Sequence, residues 1–181
     1  MGTASAMPIS NRNPSAQMLS VHGRLFLIDC GEGTQQAIRR AHLSFVKVDA
    51  IFLSHLHGDH IFGIFGLLST IALYGRTQRL DIYAPKAFGP VLKFFLSMFG
   101  EGVAYPIEHH PLDCSEPQVI MDGREVRVTA FPLRHKTDCY GFRFDEKVSS
   151  RRAGKQPFKV CSYAYCSDTA PFSELSSWVK G

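Results

Sequence analysis

A chain of 181 residues with 45% hydrophobic residues is long enough to bury one compact core, and its composition is that of an ordinary globular protein. Twenty Lys and Arg against sixteen Asp and Glu leave a formal charge of +4, which suits an anionic partner without identifying one. The longest apolar stretch, residues 61–73, is too short for a membrane span, and the first residues lack a basic-plus-apolar leader, so the expectation is a soluble, cytoplasmic protein with no membrane partner. Five cysteines without a CxxC pair are read as reduced, structural thiols.

Residues 1–24 open as a loop rich in Gly, Ser, Asn and Pro, with Arg12 available to a phosphate or to solvent. Residues 17–21 and 24–29 flank His22-Gly23 as a hairpin whose second strand ends at Asp29. That Asp is either a turn former or a partner that orients a ligating imidazole. A helix over 34–41 carries Arg39 and Arg40 toward solvent, and a buried strand follows over 49–54. Residues 61–74 are apolar on nearly every side, as in a buried helix, and 80–84 form a short strand. A second helix over 91–99 contains Phe94, Phe95 and Phe99, all assigned to the core. Residues 104–110 and 118–121 read as extended, Asp122-Gly123 turns into a strand over 125–131, and further strands cover 140–144 and 160–166. Strands with intervening helices and a hairpin component predict a mixed, layered α/β architecture in one domain over 1–181.

The densest chemistry lies in Ser54-His55-Leu56-His57-Gly58-Asp59-His60, on the loop between the strand at 49–54 and the helix at 61–74. In extended backbone, residues two apart project the same way, so His55 and His57 converge and can share one cation. Asp59 and His60 project differently and suit a second cation, as in two-metal hydrolases. His135 sits between the strand ending near 133 and the strand at 140–144, where a loop-borne ligand would be placed. Asp168 follows the run at 160–166 and is either a helix cap or a carboxylate bridging two cations. His22, His42, His109 and His110 lie outside any ligand spacing and are assigned to the surface.

The His55-x-His57-x-Asp59-His60 pattern resembles the metal-binding motif of the metallo-β-lactamase superfamily. The segments Phe26-Leu27-Ile28-Asp29-Cys30-Gly31-Glu32-Gly33-Thr34-Gln35, Pro132-Leu133-Arg134-His135 with Gly141-Phe142, and Tyr163-Ala164-Tyr165-Cys166-Ser167-Asp168-Thr169 narrow the resemblance to the ribonuclease Z family, the tRNA 3′-end endonucleases. This resemblance implies an αββα sandwich, incomplete at its C-terminal half. It implies Zn2+, two per subunit, held by His55, His57, Asp59, His60, His135 and Asp168, with Asp29 orienting an imidazole and Asp59 handling the attacking water. The implied substrate is precursor tRNA rather than DNA, and the implied assembly is a homodimer.

Against the family pattern, no His-Glu-Ala-Thr segment or final ligating histidine follows Trp178-Val179-Lys180-Gly181, and residues 145–159 replace a long Gly- and Pro-rich arm. The expectation is therefore part of a longer protein. Arg151, Arg152 and Lys155 in that short connection are a phosphate-touching loop or a solvated run. The same metal chemistry also serves other phosphodiesterases and ester hydrolases, and an incomplete second site would allow a non-catalytic metal- or RNA-binding module.

Overall fold

The computed structural model describes residues 1–7, 9–147 and 160–180, which leaves Arg151, Arg152 and Lys155 outside the described residues. The chain divides into two compact units, Met1–Leu112 and Asp113–Gly181.

In the first unit a hairpin of β1 (Gln17–Val21) and β2 (Arg24–Ile28) leads into a five-stranded sheet completed by β3 (Val48–Phe52), β4 (Leu80–Pro85) and β5 (Ile107–Leu112), in that spatial order. β1 and β2 are antiparallel, and the remaining pairs are parallel. Each parallel step needs a crossover. These are supplied by α1 (Thr34–Arg40), by α2 (Gly58–Ile61) with α3 (Ile64–Leu73), and by α4 (Phe88–Phe99). The interior strands β2, β3 and β4 are buried along almost their whole length, as strands covered on both faces must be. The turn of the hairpin takes positive φ at both His22 and Gly23, which matches the twist of the strands it joins.

The core of this unit runs from Leu27, Ile51 and Leu53 through Ile64, Leu67, Leu68 and Ile71 to Ile82, Phe88, Leu92 and Phe95. Arg76, 7% exposed, ties three segments together by donating to the carbonyls of Val46, Val48, Gln78 and Arg79. The single helix expected over 61–74 is two helices. The break falls at Gly63, whose N–H donates to the Cys30 carbonyl at 2.8 Å, a close approach that a Cβ, 2.1 Å from the Gly31 carbonyl oxygen, would forbid.

The second unit is an antiparallel sheet in the order β6 (Gln118–Asp122), β7 (Val126–Pro132), β8 (Tyr140–Glu146) and β9 (Ser162–Tyr165), followed by α5 (Leu175–Val179). Phe131, Leu133 and Cys139 form its core against Phe172, Leu175, Trp178 and Val179. Among the described residues no helix is long and apolar enough to cross a membrane.

The expected α4 core is corrected in part. Phe95 is buried, whereas Phe94 and Phe99 are each 62% exposed, because a helix lying on a sheet can bury only one side.

Candidate metal centre

In the first unit the histidine motif leaves the C-terminal end of β3, and Asp29 leaves the C-terminal end of the neighbouring β2. Open parallel sheets present their ligand sites at that end of their strands. Asp29 N–H donates to the Phe52 carbonyl at 2.8 Å, which continues the β2–β3 pairing by one residue. The loop is then pinned by Cys30 N–H to the His60 carbonyl at 2.7 Å and Gly63 N–H to the Cys30 carbonyl at 2.8 Å. Gly31 permits this approach, since a Cβ there would lie 2.3 Å from the Asp59 carbonyl oxygen.

Asp29 is fully buried and sits at φ 55°, a left-handed conformation that Asp tolerates better than most residues. Its carboxylate accepts from Ser54 N–H at 2.8 Å, from Ser54 Oγ at 3.0 Å and from His60 Nδ1 at 2.7 Å. A carboxylate only accepts, so His60 carries a proton on Nδ1, and in the neutral ring Nε2 is the nitrogen that can ligate. The Ser54 hydroxyl has given its hydrogen to Asp29 and must therefore accept from His55 Nδ1, 3.0 Å away. In the neutral ring His55 Nε2 is then the nitrogen that can ligate. One buried acid thus fixes the tautomers of two imidazoles, one directly and one through Ser54.

His55 Nε2 faces His57 Nδ1 at 3.0 Å, and His60 Nε2 faces Asp59 Oδ2 at 3.6 Å. The His55 ring centroid lies 4.6 Å from that of His57 and 4.1 Å from that of His60. Four donors are therefore arranged as two facing pairs on one short loop. Two imidazole nitrogens bound at about 2.0–2.1 Å to one tetrahedral zinc would stand roughly 3.3 Å apart, so the His55–His57 pair fits with little movement. Imidazole and carboxylate donors suit zinc, with manganese or iron also compatible in ligand type. The nearby Cys30 thiol is no competitor: burial pushes its pKa up to about 12, with the charge of Asp29 acting in the same direction.

In the second unit His135 lies in the connection from β7 to β8, and Asp168 follows β9. Arg134 N–H donates to Thr169 Oγ1 at 3.0 Å, and Ala170 N–H donates to the Arg134 carbonyl at 2.8 Å. These bonds join the two segments and bring a ring nitrogen of His135 and a carboxylate oxygen of Asp168 within 4.8 Å of each other. Asp168 is not a helix cap, because α5 begins at Leu175 with Glu174 at its N-cap.

The surface assignment of His109 and His110 needs correction. Both lie half-buried on β5, where His109 Nε2 meets the Ala84 carbonyl at 3.3 Å and His110 Nε2 meets Asp81 Oδ1 at 2.7 Å. His110, Asp81 and Glu108 also place donor atoms within 4.8 Å of one another. Arg79 already occupies that cluster, 3.1 Å from Asp81 and 2.6 Å from Glu108, so a guanidinium supplies the positive charge there. Sequence reasoning missed Ser54 as the link between Asp29 and His55. A serine directly before the first histidine of the motif was the only local signal.

Residues 24–181 match the family model described as Beta-lactamase superfamily domain. The chain belongs to that superfamily and has its mixed α/β fold. Ribonuclease Z of Bacteroides thetaiotaomicron is 35% identical over 218 residues, covering all of this chain and 69% of that protein. Ribonuclease Z of Bacteroides fragilis is 41% identical over 148 residues, covering 82% of this chain and 49% of that protein. The crystal structure of human tRNase Z, short form, superposes with a TM-score of 0.75 at 31% identity, covering 81% of this chain and 62% of that one. Within the superfamily, the chain is a member of the ribonuclease Z family of hydrolytic endoribonucleases. It spans about half the length of one of these relatives and roughly two thirds of the others. An alignment of 218 residues also exceeds the 181 of this chain, so the first relative carries residues that have no counterpart here.

Proposed function

We propose that the complete protein is a zinc-dependent endoribonuclease that cuts precursor tRNA on the 3′ side and removes the trailer. We assign two Zn2+ per subunit. His55, His57 and His135 would hold one, Asp59 and His60 would hold the other, and Asp168 would be shared between them. The observation that carries this reading is the Asp29–Ser54 arrangement, which holds Nδ1 of both His55 and His60 and turns their Nε2 atoms toward His57 and Asp59. Membership of the ribonuclease Z family supports the substrate class.

Two divalent cations held there would supply Lewis acidity toward water and toward phosphate oxygens. Asp59, with Oδ2 directed at the His60 side of the loop, orients the attacking water and takes its proton. Asp29 and Ser54 keep the imidazole rings from turning and hold their protons away from the ligating nitrogens. Recognition of the folded RNA is assigned to phosphate and shape rather than to base edges. Five cysteines, an odd number without a CxxC pair, support a cytoplasmic location.

A paired assay tests the proposal. Precursor tRNA and bis-p-nitrophenyl phosphate are each offered to the zinc-loaded protein. Cleavage of the RNA to a mature end with a 3′-hydroxyl is expected. Turnover of the small ester with the RNA left intact would remove tRNA processing and leave a general phosphodiesterase.

A further inference from the structure

The second unit carries a groove of about 420 Å³ whose walls include Pro132, Leu133, Arg134, Phe172, Glu174 and Trp178, none of them assigned to metal. That volume falls within the roughly 300–1,000 Å³ of small-ligand sites. Phe172 and Trp178 are half-buried and meet edge to face at a centroid distance of 5.4 Å, and Trp178 lies 6.2 Å from the core ring of Phe131. The aromatic floor is thereby fixed from below. The Arg134 guanidinium lies over the Phe172 ring, 4.9 Å from its centroid, and its Nη2 stands 3.6 Å from Glu174 Oε2. An exposed arginine ordinarily samples many rotamers, whereas here a ring and a carboxylate hold its plane in one place.

We propose that this groove is a stacking subsite for an unpaired nucleobase of a single-stranded RNA segment, with the Arg134 guanidinium and the Phe172 and Trp178 rings as its platform. RNA as the occupant rests on the substrate class proposed above. Bases splayed out of a single strand stack on aromatic rings and on guanidinium planes, and a guanidinium backed by a ring offers both in one layer. The groove also lies beside residues assigned to the metal centre. Arg134 directly precedes His135, its N–H donates to Thr169 Oγ1, and its carbonyl accepts from Ala170 N–H just after Asp168. A strand that brings a phosphate to His135 and Asp168 can set a neighbouring base on the platform.

Charge decides which part of a nucleotide enters. Glu116 and Glu174 line the groove and repel a phosphate, so the uncharged base goes in and the backbone stays outside. The same carboxylates make the groove a poor seat for an acidic peptide. Stacking engages the face of a base rather than its edges, so it holds any base and adds to recognition by phosphate and shape without reading sequence.

Trp178 is the only tryptophan of the chain, so its fluorescence reports on the groove directly. The metal-free whole chain is titrated with single-stranded oligoadenylate and, separately, with the same ribose-phosphate strand lacking bases. Neither strand is a precursor tRNA and no metal is present, so the result is independent of hydrolysis. Oligoadenylate should quench Trp178 and the abasic strand should not. Phe172→Ala should weaken oligoadenylate binding at least about fivefold, the lower end of what one stacked base contributes, and Phe172→Tyr should restore it. Arg134→Ala, at an exposed side chain, should give a similar loss and decides the matter where Phe172→Ala does not fold. Absence of quenching by oligoadenylate overturns the proposal, as does equal quenching by the abasic strand or wild-type affinity in folded Arg134→Ala. Precursor tRNA cut by a chain that shows no quenching removes the subsite alone and leaves the reaction standing.

Discussion

Replacing Asp29 with Asn tests whether one buried acid sets up the metal site. The carboxylate accepts three hydrogen bonds, from Ser54 N–H, Ser54 Oγ and His60 Nδ1. An amide of the same shape can still accept from Ser54 N–H, but its NH2 group then faces the Ser54 hydroxyl and His60 Nδ1. His60 must move its proton to Nε2 or leave two donors opposed. Ser54, now receiving from the amide, donates to His55 Nδ1 and drives that ring to its other tautomer as well. Both ligating nitrogens become protonated. Loss of a partner that orients a ligand typically costs about 10–100-fold in metal affinity, or roughly 1.4–2.8 kcal/mol. Two rings affected together place the expectation near the upper end. Asn accepts the left-handed backbone at φ 55°, so the fold should persist with about 1–3 kcal/mol lost to the mismatched buried donors. Competition against a chromophoric zinc chelator reads the affinity, and far-UV circular dichroism reports the fold. Folded Asp29→Asn with wild-type zinc affinity would refute the tautomer argument.

Four further outcomes are expected. His57→Ala and Asp59→Ala should each abolish RNA hydrolysis by the intact protein while leaving the circular dichroism spectrum unchanged; normal turnover in either contradicts its assigned role. Gly63→Ala places a Cβ 2.1 Å from the Gly31 carbonyl, so thermal melts should show a loss of about 2–3 kcal/mol, with zinc affinity falling as the loop shifts. Burial holds the pKa of His109 below its ordinary 6.5, so the unfolded chain binds the extra proton first as pH falls. Stability should drop as pH is lowered through 6.5 and level off below the folded value, and melts of wild type against His109→Gln isolate that slope. Cys30 and Cys139 are buried and should resist a thiol reagent until the chain unfolds, whereas exposed Cys161 and Cys166 should react at once.

What the sequence disclosed and what it hid divide along the distance between partners. His55, His57, Asp59 and His60 lie within six positions, and the apolar run ahead of them placed the loop at a strand end, where the structure has it. The hairpin at His22-Gly23 and the strands around Asp122-Gly123 were legible for the same local reason. The bond from Ser54 to Asp29 spans 25 residues, and nothing in either neighbourhood announces it. The break at Gly63 depends on the Gly31 backbone, which periodicity cannot register. Apolar residues on both sides of α4 read as burial, yet the fold covers only one of those sides. His109 and His110 looked like surface residues because their partners, Ala84 and Asp81, belong to a neighbouring strand.

Anomalous diffraction from crystals of the zinc-loaded chain tests the account most directly. Peaks are expected at about 2.0–2.2 Å from His55 Nε2 and His57 Nδ1, with His135 in the same coordination sphere and Asp168 reaching the neighbouring ion. Zinc bound instead at Asp81, Glu108 and His110, with His55 and His57 still facing each other across 3.0 Å, would contradict it.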